Sequence, residues 1–133
     1  MKPRLAALPV ALCVMSGCGG HASFAKLERI AASVPVPAGV TLVGQRVATS
    51  VDATKGASYR QVTLSFRTNL SCTALQGTWL KLLQHDHRRY EVQDEIVPGH
   101  HQIVITDSGE RAAINLNGYP TYCSEFDLIV AEG

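Results

Sequence analysis

A change of hydrophobic period near the middle of the chain limits it to folds in which a helix packs on a sheet. From Arg60 to Phe66 apolar and polar residues alternate, which puts Val62 and Leu64 on one face of a strand. After Ser71, a suitable N-cap, the apolar residues recur at helical spacing, and we expect a helix to about His85. The residues of this helical stripe are Cys72, Leu75, Trp79, Leu82 and Leu83.

The remaining segments predict strands joined by short turns. A strand begins at Val40–Val43, with Gly44 as a bulge, and turns back over residues 53–58. Turns are also expected at Pro98–Gly99 and Asp107–Glu110. The apolar positions of the later strands are Tyr90, Val92 and Ile96, then Ile103 and Ile105, then Ala112, Ile114 and Leu116, and finally Phe126, Leu128 and Val130. The order ββαβββ plus a final strand predicts an α+β fold, a small two-layer sandwich with one main helix on a mainly antiparallel sheet.

A short amphipathic helix is predicted ahead of the first strand. Its apolar residues are Phe24, Leu27, Ile30, Ala31 and Val34. Pro35 and Pro37 end it, because proline cannot continue a helix. We expect this helix to dock on the domain and not to lie on a membrane, since its polar face is not rich in basic residues.

The start of the chain has the organisation of an export signal. Lys2 and Arg4 precede an uncharged apolar run over residues 5–15, which is too short for a bilayer core of about 30 Å. The run ends in Met15-Ser16-Gly17-Cys18, which resembles the lipobox of bacterial lipoproteins, with Met15 where leucine is commonest. The resemblance covers only the signal and these four residues. It implies that residues 1–17 are removed and that Cys18 carries lipid.

The resemblance implies a lipid-anchored protein of the bacterial cell envelope. It divides the chain into a signal peptide at 1–17, a lipidated tether with the short helix at 18–37, and one globular domain at 38–133. Gly19 follows Cys18, so the aspartate that retains some lipoproteins at the inner membrane is absent, and the outer membrane is favoured where there are two. The alternative is an ordinary secretory signal in which Cys18 has no role.

The cysteine count predicts one disulfide in the domain. Cys13 lies in the signal and Cys18 is the lipid site, which leaves Cys72 and Cys123 in a compartment where disulfides persist. A bridge between them would join the main helix to the last strand. A reactive or metal-binding thiol pair is the alternative, and the wide spacing without a CxxC motif disfavours it.

Charge and histidine spacing exclude several function classes. Without the signal the chain has ten basic and eleven acidic residues, so no nucleic-acid partner is expected. His85 and His87 would lie about 25 Å from His100 and His101 across an intervening strand, too far to share a metal ion. We therefore interpret the histidines as solvated and predict no metal site, no cofactor and no catalytic residue. Glu91 and Glu95 are interpreted as the protective charges of an edge strand.

The one segment predicted to contact a partner is the link before the last strand. Tyr119 and Tyr122 flank Pro120 there, and tyrosines on a stiff loop offer large contact area at small entropic cost. The alternative is that both rings fold back over the core beside the disulfide.

These observations favour a non-catalytic envelope module that binds a protein, a glycan or lipid. A small hydrolase or transferase built on His85, Asp86 or His87, and a structural subunit of an envelope assembly, stay open as alternatives. The domain itself carries no family motif in its sequence.

Overall fold

A computed structural model describes residues 23–52, 56–93 and 101–133. The predictions made for the signal, for Cys18, and for Glu95, Ile96, Pro98–Gly99 and His100 lie outside these ranges.

The described chain contains two helices and six strands, which confirms the predicted α+β order. They are helix α1 (Phe24–Ser33), strands β1 (Val40–Asp52) and β2 (Ala57–Thr68), helix α2 (Cys72–His85), and strands β3 (Tyr90–Gln93), β4 (Gln102–Ile105), β5 (Arg111–Asn115) and β6 (Glu125–Ala131). Within the described ranges, neither helix has the length and apolar character needed to cross a bilayer.

All six strands form one antiparallel sheet in the order β1-β2-β6-β5-β4-β3. The β1–β2 hairpin and the β3–β6 meander join where β2 pairs with β6, from Gln61 opposite Ala131 to Arg67 opposite Glu125. The sheet therefore has β1 at one edge and β3 at the other. The bulge expected at Gly44 is present as a register shift between Leu42 and Gly44.

Both helices pack on the same face of the sheet, which we call the inner face. The strand residues buried there are Val62, Leu64, Phe66, Ile103, Ile105, Ala112, Ile114, Phe126, Leu128 and Val130. Trp79 of α2 is fully buried and meets the rings of Phe66 and Phe126 edge-on, with centroids 5.8 and 5.5 Å away. Such edge-to-face contacts are favourable for aromatic rings. Trp79 is thus the core anchor that the helical stripe predicts.

Helix α2 begins and is fixed as the sequence predicts. The hydroxyl of Ser71 accepts a hydrogen bond from the backbone N–H of Ala74 at 3.1 Å and so caps the first turn. Cys72 forms a disulfide with Cys123, and their Cα atoms are 5.2 Å apart. The bridge joins the start of α2 to the chain two residues before β6.

Helix α1 docks on the inner face, as predicted. Leu27, Ala31 and Val34 are buried in the same core as α2 and the sheet. The Lys26 ammonium lies 3.0 Å from the Glu110 carboxylate, in the turn between β4 and β5. The helix assigned to the tether by the sequence is therefore packed as part of the domain.

The predicted turn at Asp107–Glu110 joins β4 to β5 and is held by its carboxylates. The backbone N–H of Gly133 and the Lys26 ammonium both donate to Glu110, and they lower the pKa of this carboxyl below its ordinary value of 4.5. Burial raises the pKa of Asp107, but the hydrogen bonds and charge of Arg88 and the backbone N–H of Arg89 outweigh it, so the pKa falls below 3.8. Both carboxylates are thus stabilised in their charged form.

Candidate site on the open face of the sheet

The face of the sheet opposite the helices, here called the open face, contains a hollow of about 760 Å³. No helix of the described ranges lies on this face, since α1 and α2 both belong to the inner-face core. The side chains that line the hollow include Tyr59, Gln61, Gln93, Gln102, Arg111 and Asn117. A hollow this large is within the size range of ligand sites, so it is the candidate site.

Strand register brings polar residues from five strands into one row across the open face. Gln93 of β3 is the partner of Gln102, which in turn is the partner of Asn115. Asn115 is the partner of Asp127, and Asp127 of Ser65 in β2. Because paired residues of antiparallel strands lie on the same face, all five side chains project from this face.

Hydrogen bonds fix the centre of this row. The Gln102 amide donates to Asn115 Oδ1 at 2.7 Å, and the Asn115 amide donates to Asp127 Oδ1 at 3.2 Å. Asn115 is only 9% exposed, so its amide is held between two neighbours in a partly desolvated position. Each amide still has a second N–H beyond the bond it makes here. The row is therefore an oriented set of donors and acceptors.

Small side chains next to this row give the hollow its depth. Ala113 of β5 pairs with Ile129 of β6 in the adjacent row, and both line the hollow. Ala131 of β6 also lines the hollow and is buried. Short side chains in the middle of the sheet and longer ones around them produce a recess with a partly apolar floor.

The chemistry of the hollow is mainly uncharged. Arg111 is the one charged residue among the described residues that line it, and the other polar groups are amides and the Tyr59 phenol. Histidine, cysteine and carboxylate side chains do not occur among these lining residues. The arrangement can hold a neutral polar ligand by many hydrogen bonds, and it offers no described nucleophile with an adjacent base.

For one histidine, His101, the structure corrects the prediction that the histidines are solvated. His85 and His87, with Asp86 between them, are exposed. His101, in contrast, is 6% exposed, lies 2.5 Å from the Gln76 amide oxygen through Nε2, and stacks on the Tyr119 ring at 4.1 Å. The Leu116 N–H donates to the His101 carbonyl, which extends the β4–β5 pairing by one residue and turns the ring to the inner face.

The described ranges contain no cluster of potential metal ligands. No three histidine, cysteine or carboxylate side chains there approach one another closely enough to hold an ion.

The loop after β5 separates the two tyrosines into different environments. The loop starts at Asn117 on the rim of the hollow, and its backbone is closed by the N–H of Tyr122 donating to the Gly118 carbonyl at 2.7 Å. Tyr119 is half-buried against the core and stacked on His101, as in the alternative considered from the sequence. Tyr122 is 60% exposed. Of the two tyrosines, Tyr122 is the one available to contact a partner.

Replacing Tyr119 with alanine is expected to lower the free energy of unfolding by about 2 kcal/mol, because stacking and core contacts are lost. Tyr122→Ala is the matched control and should change stability by less than about 0.5 kcal/mol. Urea unfolding followed by tryptophan fluorescence measures both variants. Equal losses for the two tyrosines would contradict the separation of their environments.

The residues of the polar row were not singled out by the sequence. Gln102, Asn115 and Asp127 each stand beside an apolar core position, as an ordinary solvent-facing residue does. Only the register of the meander shows that they are neighbours.

Comparison of the chain with protein-family models, with curated proteins and with solved structures gives no match. What the hollow binds has to be inferred from its own chemistry.

Proposed function

We propose that this protein is a lipid-anchored lipoprotein of the bacterial cell envelope whose domain binds an uncharged glycan in the open-face hollow. The observation that carries the proposal is the pair Gln102 and Asn115, which line the hollow and are oriented by hydrogen bonds to each other and to the neighbouring Asp127. The anchor rests on the lipobox resemblance around Cys18.

The donors and acceptors of the hollow suit sugar hydroxyls. A hydroxyl both donates and accepts hydrogen bonds, so it pairs with the amides that line the hollow, two of which, Gln102 and Asn115, are already held in place by hydrogen bonds. Preorganised groups lose less entropy when a ligand binds. Ala113 and Ile129 supply apolar surface for the C–H faces of a sugar ring, and Tyr59 supplies an aromatic ring at the rim. A charged ligand would find one guanidinium, that of Arg111.

The experiment begins with Cys18→Ala, which should move the protein from the membrane pellet to the soluble fraction if Cys18 carries the anchor. This soluble form is then titrated with three neutral oligosaccharides, chitohexaose, maltohexaose and cellohexaose, and with an acidic oligogalacturonate. Binding of a neutral oligomer in preference to the acidic one is expected, with calorimetry as the measurement. Protein that stays in the membrane pellet after Cys18→Ala would argue against the lipid anchor.

Variants locate the binding in the hollow. Asn115→Ala should weaken binding about tenfold, because two side-chain hydrogen bonds of the row are lost. Asn117→Ala tests the rim, and Asn69→Ala is its matched control, an exposed asparagine that does not line the hollow. Equal binding by the Asn117 and Asn69 variants, combined with unchanged binding by Asn115→Ala, would exclude the hollow as the site. Capture of a protein by Tyr122 instead would favour the loop as the partner surface.

A further inference from the structure

Strand β1, at one edge of the sheet, has more exposed large hydrophobic residues than any other strand of the described chain. Leu42, Val43, Val47 and Val51 are between 47% and 72% exposed, and they are four of the seven exposed large hydrophobic residues in the described ranges. Strand β1 is thirteen residues long and stands at the end of the sheet order, so its outer backbone groups have no strand beside them in the described sheet. Edges of this kind pair readily with another strand.

The usual protection of an edge strand is weak in β1. Proline and lysine are absent from the strand, and Arg46 is the one basic residue in it. The bulge near Gly44 interrupts only the first part, and from Gly44 to Asp52 the strand pairs regularly with β2. The opposite edge, β3, is four residues long in the described chain and exposes Glu91. Within the described ranges, β1 is therefore the edge that offers a long regular strand for pairing.

Apolar surface continues from β1 under the inner face. A groove of about 300 Å³ separates β1 from α1, and its lining includes Val34, Val36 and Leu42. A strand paired beside the second half of β1 would cover Val47 and Val51, the exposed valines on this side.

We propose that β1 pairs with β1 of a second copy of this chain, antiparallel and about a two-fold axis at Thr49. In this register Val47 lies opposite Val51 twice, and Ala48 lies opposite Ser50. In this register no two basic residues of β1 oppose each other. The strand is therefore complementary to itself, which is the condition for a closed two-fold interface.

The pairing keeps each face of the sheet continuous. Val47, Thr49 and Val51 share the inner face, because their β2 partners Val62, Arg60 and Ser58 alternate with open-face residues. Paired residues of antiparallel strands lie on the same face, so the helices of both copies cover one side. The result is a twelve-stranded antiparallel sheet with both hollows on the other side. Glycan binding by each hollow is independent of this inference.

Cysteine cross-linking in native membranes tests the register. In the dimer the two Thr49→Cys thiols face each other across the axis, at the Cα separation of about 5 Å that a disulfide requires. Thr49→Cys should therefore give a covalent dimer under mild oxidation. Ala48→Cys and Ser50→Cys, one residue to either side, should cross-link poorly, and Thr78→Cys on the exposed face of α2 controls for random collision.

A second substitution tests the contact itself. Adding Val47→Lys to Thr49→Cys should reduce the covalent dimer about tenfold, because two valine pairs are lost and two ammonium groups enter the interface. Melting temperatures of the reduced variants show whether each one is folded. Equal cross-linking at 48, 49 and 50, no cross-linking at 49, or a product with the mass of a different protein would each overturn the pairing of two copies.

Discussion

Reduction of the Cys72–Cys123 disulfide is expected to lower the free energy of unfolding by about 4 kcal/mol and the melting temperature by about 15 °C or more. The two cysteines are 51 residues apart, and the bridge closes a loop that contains α2 and strands β3, β4 and β5. In the unfolded chain this closure removes much conformational freedom, so opening it favours the unfolded state. Both cysteines are buried in the core.

Thermal unfolding with and without reductant measures this effect. The double variant Cys72→Ser/Cys123→Ser is the control, because reductant should not change its melting temperature further. Each single variant should melt below the oxidised wild type. A melting temperature that reductant leaves unchanged in the wild type would contradict the stabilising role of the bridge.

Gly118→Ala is expected to destabilise the domain by about 3 kcal/mol, near the upper end of the range for overpacking. A Cβ atom at residue 118 would lie 1.7 Å from the carbonyl oxygen of Tyr122. The obstacle is backbone and not a flexible side chain, so the loop cannot adjust without losing the bond between Tyr122 N–H and the Gly118 carbonyl. The stacking of Tyr119 on His101 depends on the same loop.

Gly77→Ala is the matched control for this substitution. Gly77 lies inside α2, it is exposed, and a Cβ there would meet nothing within 4 Å. Alanine in a helix interior is better than glycine by about 0.5–1 kcal/mol, so this variant should gain stability. Denaturant unfolding of the two variants should therefore give changes of opposite sign. A Gly118→Ala variant as stable as the wild type would mean that the turn has another conformation in solution.

Helix α2 and its disulfide could be predicted directly from the sequence pattern. The stripe from Cys72 to Leu83 and the cap at Ser71 define α2, because core packing and the capping hydrogen bond both act on residues close in sequence. The disulfide follows from the cysteine count.

Strand β1 is longer than the sequence predicts: the prediction starts it at Val40–Val43, and it runs to Asp52. The bulge at Val43 shifts the alternation of apolar and polar residues along β1 by one residue. The inner-face residues Val47 and Val51 are also exposed, so burial does not impose strict alternation on this edge strand.

The candidate site depends on strand register, which pairs residues far apart in the sequence and cannot be read from any short segment. Gln102, Asn115 and Asp127 become neighbours only through the register of three strands, and a shift of one residue would send each to the other face. The same reason explains His101. One further residue of pairing beyond β4 turns its ring into the core, although the sequence put it beside a turn.

The docked position of α1 has a consequence for where the domain works. Ser23 caps this helix and Leu27 is buried, so the domain begins five peptide units after Cys18. Five extended residues reach at most about 18 Å. With the proposed lipid on Cys18, the domain is confined to a thin layer along the bilayer surface, where copies meet by lateral diffusion in two dimensions. With that lipid in place, the length of this segment would limit the height above the membrane at which the hollow meets the proposed glycan.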